Sequence, residues 1–240
     1  MIDFHSHILP AIDDGSKSEA ESLLMLNALK NQGVTKVVAT PHFYANNESV
    51  THFTHRRQKA YDKLKDSLSE DLPEIVLGAE VRYYEGISRL EGLRELCIED
   101  TEMLLLEMPA SRWSEFMLRD LVDLTSKSRM TLVLAHIERY MSLQAGGVFE
   151  DLLSSGVLMQ INAGFINDFF TRRKALNLLK SEKVHFIGTD CHDTVKRPPN
   201  MDRALEIISK KLGKDFLDYF INYGNEYFCE NSDSILISKG

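Results

Sequence analysis

The sequence predicts an α/β fold, a parallel barrel of seven strands, (β/α)7, on three observations. Seven short apolar runs alternate with longer amphipathic stretches along the 240 residues. Each run is too short for a helix and rich in Val, Ile or Leu, as parallel strands buried on both faces are. No change of composition and no linker divides the chain, so residues 1–240 are expected to form a single domain. Seven strands is one short of the familiar eight-stranded barrel, and an open doubly wound sheet is the alternative.

The strand runs are "IDFH", "KVVATPH", "EIVLGAE", "MLLLEM", "TLVLAH", "LMQINA" and "HFIGTD". After the first, "SEAESLLMLNALKNQG" reads as a helix: Ser18 can cap it, Glu21 completes a capping box, and Gly33 can close it. A long polar helix is expected over 48–70, and further helices over 114–128, 147–155, 171–182 and 201–211. A short C-terminal pair follows. Segment 84–101 is either a helix or an irregular excursion.

Composition excludes several classes. Hydrophobic residues are 43% and charged residues 27%, enough apolar content to fill a core in an ordinary soluble protein. The formal charge is −8, without the broad basic footprint of a nucleic-acid binder. Cys97, Cys191 and Cys229 are odd in number and widely spaced, which argues against a disulfide framework and for a reducing cytoplasm. The first residues lack a signal-peptide pattern, and no run of about 18 apolar residues suggests membrane insertion.

The strand ends carry the chemistry. His5 and His7 end the first strand, His42 the second, Glu80 the third, Glu107 the fourth and His136 the fifth, while Asp190 and His192 follow the seventh. Only the sixth, ending "INAGF", offers no obvious ligand. Parallel barrels gather their C-terminal strand ends on one face, where active sites lie. Carboxylates crowded there would repel one another, and divalent cations remove that difficulty. Nitrogen and oxygen donors without thiolate suit manganese, iron, zinc or cobalt. A lone HxH or a single acid at a strand end would be weak; six of seven strands ending this way is not. His52 and His55 read as a solvated helix face, as does the basic "HRRQK" at 55–59, and His185 stands at the wrong end of its strand.

With these residues in view, the chain resembles the polymerase and histidinol phosphatase (PHP) superfamily. More narrowly, it resembles the bacterial manganese-dependent tyrosine-protein phosphatases of capsule and exopolysaccharide operons. The carrying motifs are "DFHSHILPAIDDG", "ATPHF", "GAEVRY", "LLLEM", "LAHIERY" and "GTDCHDTVKRPPNM". The resemblance implies a distorted seven-stranded barrel holding three divalent metal ions, manganese first, with iron, zinc, cobalt or magnesium as alternatives. It implies the ligands His5, His7, Asp14, His42, Glu80, Glu107, His136, Asp190 and His192, with Glu80 bridging two ions and Asp13 a rival to Asp14. It implies catalytic arginines at Arg139 and Arg197. Ile137 departs from the usual proline and bears on the loop that aims Arg139.

The implied activity is hydrolysis of phosphotyrosine, on the C-terminal tail of a membrane-associated bacterial tyrosine kinase controlling capsule or exopolysaccharide synthesis. The alternatives are a small-molecule phosphatase of the histidinol-phosphate kind and a nuclease. Homo-oligomers are expected by the same analogy. Cys191 and Arg197 also show the CX5R spacing of cysteine-dependent phosphatases, but the loop between them lacks glycine and carries an aspartate that would repel phosphate.

Overall fold

Each of the seven apolar runs forms strand, and two of them break in the middle. The computed structural model describes residues 1–128 and 130–238. In it β1 (Ile2–Ser6) leads to α1 (Glu19–Asn31), whose cap is Ser18, its hydroxyl accepting from Glu21 N–H at 3.2 Å. The Glu21 carboxylate reaches back to Lys17 N–H (2.8 Å), one residue earlier than a capping box would place it.

The second run divides into β2 (Lys36–Ala39) and β3 (His42–Phe43), and the third into β4 (Glu74–Leu77) and β5 (Glu80–Arg82). The first break falls at Thr40-Pro41, where proline has no N–H for a neighbour. The second faces it at Gly78-Ala79, and Glu80 N–H still donates across to Pro41 O (3.1 Å). The strands therefore register as two parallel sheets, β1-β2-β4 and β3-β5-β6-β7-β8-β9. The later strands are β6 (Met103–Glu107), β7 (Thr131–Leu134), β8 (Leu158–Asn162) and β9 (Phe186–Gly188).

The seam between β9 and β1 curls these seven passes into a distorted barrel. Asp190 N–H donates to His5 O (2.8 Å) and His7 N–H to Cys191 O (2.9 Å). Gly188 makes this approach possible, since a Cβ there would lie 2.4 Å from that of His5.

Alternation along the strands sorts the core. Phe4, Val38, Met103, Leu105, Val133 and Phe186 belong to one buried cluster, with the Phe4 and Phe186 rings stacked at 4.1 Å. Their neighbours Val37, Leu104, Leu106, Leu132 and Leu134 belong to a second cluster, shared with helix residues such as Met25, Leu26 and Leu29. The remaining helices are α2 (Val50–Lys65), α3 (Glu115–Ser128), α4 (Val148–Ser154), α5 (Ala163–Asn167), α6 (Arg172–Lys180), α7 (Met201–Leu212) and α8 (Lys214–Ser238).

Two expectations change, and one open choice is decided. The C-terminal pair is one helix, α8, because no proline interrupts the segment and Gly224 is carried inside it. The polar helix stops at Lys65 rather than reaching residue 70. Segment 84–101 is irregular, with 3-10 turns at Ile87–Arg89 and Leu93–Leu96 pinned by buried Ile87, Leu93 and Leu96. Cys97 and Cys191 are free, buried thiols, and the Cys229 side chain lies outside the described residues. Among the described residues no helix is long and apolar enough to cross a membrane.

Candidate metal centre

The nine predicted ligand residues converge at the C-terminal mouth of the barrel. Their donor atoms fall into four overlapping groups, each within 4.8 Å: His7, Asp14, His42 and His192; His5, His7 and Asp190; His5, Glu80 and His136; and His42, Glu80 and Glu107. The overlap centres on Glu80, at the start of β5. Its carboxylate lies 3.3 Å from His5 Nε2 and from His7 Nε2, 2.8 Å from His42 Nδ1 and 2.7 Å from His136 Nε2.

The backbone aims these groups at some conformational expense. His136 and Asp190, each just past a strand, hold positive φ of 32° and 53°, a region that L side chains seldom adopt and that recurs at functional sites. The 11–16 turn folds back on β1, with Ser16 N–H donating to His7 O at 3.0 Å. Gly15 is required there, because a Cβ would sit 2.2 Å from His7 O.

That turn separates the roles of the adjacent aspartates. Asp14 is exposed, with its oxygen 3.4 Å from both His42 Nε2 and His192 Nε2. Asp13 is turned inward, accepting at 2.7 Å from His7 Nδ1 and at 3.0 Å from His42 N–H. It orients the ring whose other nitrogen faces the donor groups.

The donor set fits divalent cations. His5 Nε2 and His7 Nε2 are only 3.2 Å apart, facing the same carboxylates. Glu80 Oε2 and His192 Nε2 are buried yet make no hydrogen bond, so donors sit side by side without satisfying each other. Burial opposes charge on His7, but hydrogen bonds to Asp13, Asp190 and Glu80 outweigh it and raise its pKa well above the ordinary value. Burial likewise opposes ionisation of Glu80 and Asp190, and the facing histidines hold both below the usual carboxylate range. Protons and cations compete for these nitrogens, so ion loading falls with falling pH.

Asp190 links this cluster to the arginines. Its Oδ1 lies 3.6 Å from His5 Nε2 and 3.5 Å from His7 Nε2. Its Oδ2 accepts from Arg139 at 2.5 Å, from Arg197 at 2.8 Å and from Asn162 Nδ2 at 2.8 Å. Arg139 and Arg197 are 42% and 41% exposed, so both guanidiniums are open to solvent at the mouth. Buried Ile137 anchors the turn that carries Arg139.

Several residues at the site were not singled out by sequence. Arg82 pairs with Glu107 at 2.7 Å because the β5–β6 register sets them side by side. The sixth strand supplies braces in place of a ligand: Gln160 Oε1 accepts from His136 N–H at 2.6 Å, and Asn162 steadies Asp190. Two amides in an otherwise apolar strand were the available signal. Asp3 holds the backbone and hydroxyl of Thr189 (2.8 and 2.6 Å), which leads into Asp190. Burial raises the Asp3 carboxyl to about 6.

His52 and His55 are exposed on α2, and His52 pairs with Glu48. The basic stripe is not a solvated face throughout. Arg56 turns inward to Glu48 and Ile12 O, and Arg57 to Gly78 O and Glu95 O, because those acceptors face α2. Cys191 is fully buried and burial pushes its thiol above its ordinary value, so no thiolate is offered to a substrate.

The family model for capsular polysaccharide synthesis, CpsB/CapC, matches residues 1–236. The chain belongs to the CpsB/CapC family. Tyrosine-protein phosphatase YwqE of Bacillus subtilis (strain 168) is 31% identical over 238 residues, covering 96% of this chain and 92% of that one. Tyrosine-protein phosphatase CpsB of Streptococcus pneumoniae is 29% identical over 255 residues, covering 100% and 99%. A structure described among those of YwqE and CpsB, unique metal-dependent tyrosine phosphatases, superposes with a TM-score of 0.80 at 25% identity, covering 94% of this chain and 93% of that chain. A beta-aspartyl dipeptidase of Fervidobacterium islandicum AW-1 shares the fold alone, at a TM-score of 0.51 and 13% identity over 90% of this chain and 68% of that one.

Proposed function

We propose that this member of the CpsB/CapC family is a metal-dependent protein-tyrosine phosphatase, residues 1–240 acting as one domain. Its proposed metal ligands are His5, His7, Asp14, His42, Glu80, Glu107, His136, Asp190 and His192, for three divalent ions with manganese the first choice. Bound there, such ions supply positive charge and acidify water. The observation that carries the reading is the split role of Asp190, with one oxygen among the histidines and the other holding Arg139 and Arg197.

A phosphate monoester entering this mouth meets guanidinium N–H groups already positioned. Arg139 and Arg197 each donate paired hydrogen bonds to its oxygens, where charge gathers in the loose transition state. Asp190 and Asn162 keep those guanidiniums from swinging away, so little ordering remains for the reaction itself. Tyr44, partly exposed and 5.5 Å ring to ring from His42, offers a wall for an aryl group. A phenol with pKa near 10 leaves as its anion more readily than an alkoxide, which favours phosphotyrosine over phosphoserine.

The proposed physiological substrate is the phosphotyrosine tail of a membrane-associated tyrosine kinase, met at the cytoplasmic face. A flexible tail suits a mouth whose side groove is lined by Ile12, Asp14, Tyr44, Asn47, Glu48 and His52. The test is turnover of phosphotyrosine peptide, phosphoserine peptide, histidinol phosphate and single-stranded DNA, with and without chelator. Phosphotyrosine peptide is expected to lead and to be chelator-sensitive. Arg197→Ala is expected to lower kcat by ~10²–10³-fold with metal content kept, the scale of losing one transition-state donor. Equal turnover of phosphoserine, or a preference for DNA, would overturn the reading.

A further inference from the structure

Phe169 and Phe170 are 77% and 90% exposed, with Val195 the most solvent-open large apolar side chains among the described residues. Their rings meet edge to face at 5.7 Å and lie on no other described aromatic ring. Loose chain does not explain the exposure, because the turn beneath is tightly bonded. Asp168 Oδ1 accepts from Phe170 N–H (2.8 Å) and Thr171 N–H (3.0 Å), and the Thr171 hydroxyl donates to Phe165 O (2.7 Å). Arg172 clamps the preceding helix end through Ile166 O and Asn167 O. A bonded turn that holds two phenylalanines in water presents them to something.

The turn belongs to the rim of the catalytic mouth. It follows β8 and the five-residue α5, and β8 ends at Asn162, which bonds Asp190. Asn167 Nδ2 donates to Asn200 O (2.8 Å), three residues beyond Arg197. Arg173 and Lys174, exposed and in no described ion pair, stand just past the aromatic pair. On a chain of net charge −8 this is a local positive edge, complementary to an anionic partner.

We propose that Phe169 and Phe170 form a docking platform for the substrate polypeptide, gripping apolar side chains next to the phosphotyrosine while Arg173 and Lys174 attract acidic ones. The proposal rests on the phosphatase reading above. A polypeptide is favoured over a lipid surface because two rings on one short turn between α5 and α6 fall well short of the broad apolar face that membrane attachment needs.

The test uses two ten-residue phosphotyrosine peptides, one with phenylalanine and leucine flanking the phosphotyrosine, the other with serine at both places. Wild type and the double variant Phe169→Ala, Phe170→Ala are compared on both peptides and on p-nitrophenyl phosphate. Wild type is expected to favour the apolar peptide by about tenfold in kcat/KM, ~1.4 kcal/mol of binding. The variant is expected to lose that preference through KM while hydrolysing p-nitrophenyl phosphate as wild type does. Equal use of both peptides by wild type, or an unchanged preference in the variant, would overturn the platform. So would an unchanged preference accompanied by lost binding to phosphatidylglycerol vesicles, which would assign the rings to a membrane. No wild-type turnover of any phosphotyrosine peptide or of p-nitrophenyl phosphate would sink the phosphatase reading, and the platform with it.

Discussion

His5 and His7, buried at the mouth of this barrel, and His185, half-buried at its far end, sit in surroundings that give them opposite chemistry. At the C-terminal mouth His5 and His7 face Glu80 and Asp190, and the carboxylates raise both above the ordinary imidazole value despite burial. At the far end of β9, His185 lines a cavity of about 140 Å3 walled chiefly by Leu179, Val184, Phe216 and Phe220. There burial dominates and lowers its pKa to about 4, while its Nδ1 accepts from Met159 N–H at 3.1 Å. Burial alone therefore does not make a site. What separates the two ends is the surplus of donors at the mouth, where carboxylates and imidazoles outnumber the hydrogen bonds they can make among themselves.

The sharpest way to break that contrast is to remove the central charge. Glu80→Gln keeps the shape of a side chain that four histidines face but removes its charge and replaces one acceptor oxygen by an amide donor. Metal analysis of the purified variant is expected to show fewer ions per chain. Turnover of phosphotyrosine peptide is expected to fall by ~10³-fold, the upper range for one electrostatic group at a reacting centre. Full ion content with wild-type turnover would mean that the cluster is only a network of buried pairs.

A smaller change tests how the surplus is aimed. Asp13 touches no proposed cation position but holds His7 through Nδ1. Asp13→Asn replaces an ionised acceptor by a neutral amide. Metal titration is expected to show affinity weakened by about 10–100-fold, the usual effect of losing a ligand's hydrogen-bonded support. Unaltered affinity would make Asp13 a brace for the 11–16 turn alone.

The same contrast marks what was legible in the sequence. The convergence of these side chains was readable because a parallel barrel turns "last residue of a strand" into "rim of one mouth", so placing Glu107 and His136 there needed no knowledge of their neighbours. The division between Asp13 and Asp14 was not readable, since it depends on how closely Gly15 lets the turn return to His7. Arg82 was missed because its partner is set by strand register, which no local pattern encodes. Arg139 and Arg197 were named through the resemblance, and local spacing alone would have left them among many surface arginines. The arginines of "HRRQK" read as solvated because their acceptors, Ile12 O, Gly78 O and Glu95 O, are backbone groups supplied by the fold. The strand breaks at Pro41 and Gly78 left the order of the barrel intact, so the fold class survived them.

The smallest expected effect comes from the far end, where His185 should matter to stability and not to catalysis. Its folded pKa of about 4 lies below the ordinary value of about 6.5. Between those values the unfolded chain binds a proton that the folded chain refuses, so stability rises with pH across that window. The contribution is fully present above about pH 6.5 and is lost as pH falls toward 4. His185→Gln retains an acceptor for Met159 N–H and removes the titration. With metal-loaded protein, lowering the pH from 7.5 to 5 is expected to reduce the wild-type Tm by about 4–8 °C more than the variant's, roughly 2 kcal/mol for a chain of this size. Acid sensitivity of the metal centre is common to both proteins and cancels in that difference. The two should share one kcat at pH 7.5. Parallel melting curves would show that the folded protein protonates His185 freely, and a lower kcat would mean that the two ends of the barrel are coupled.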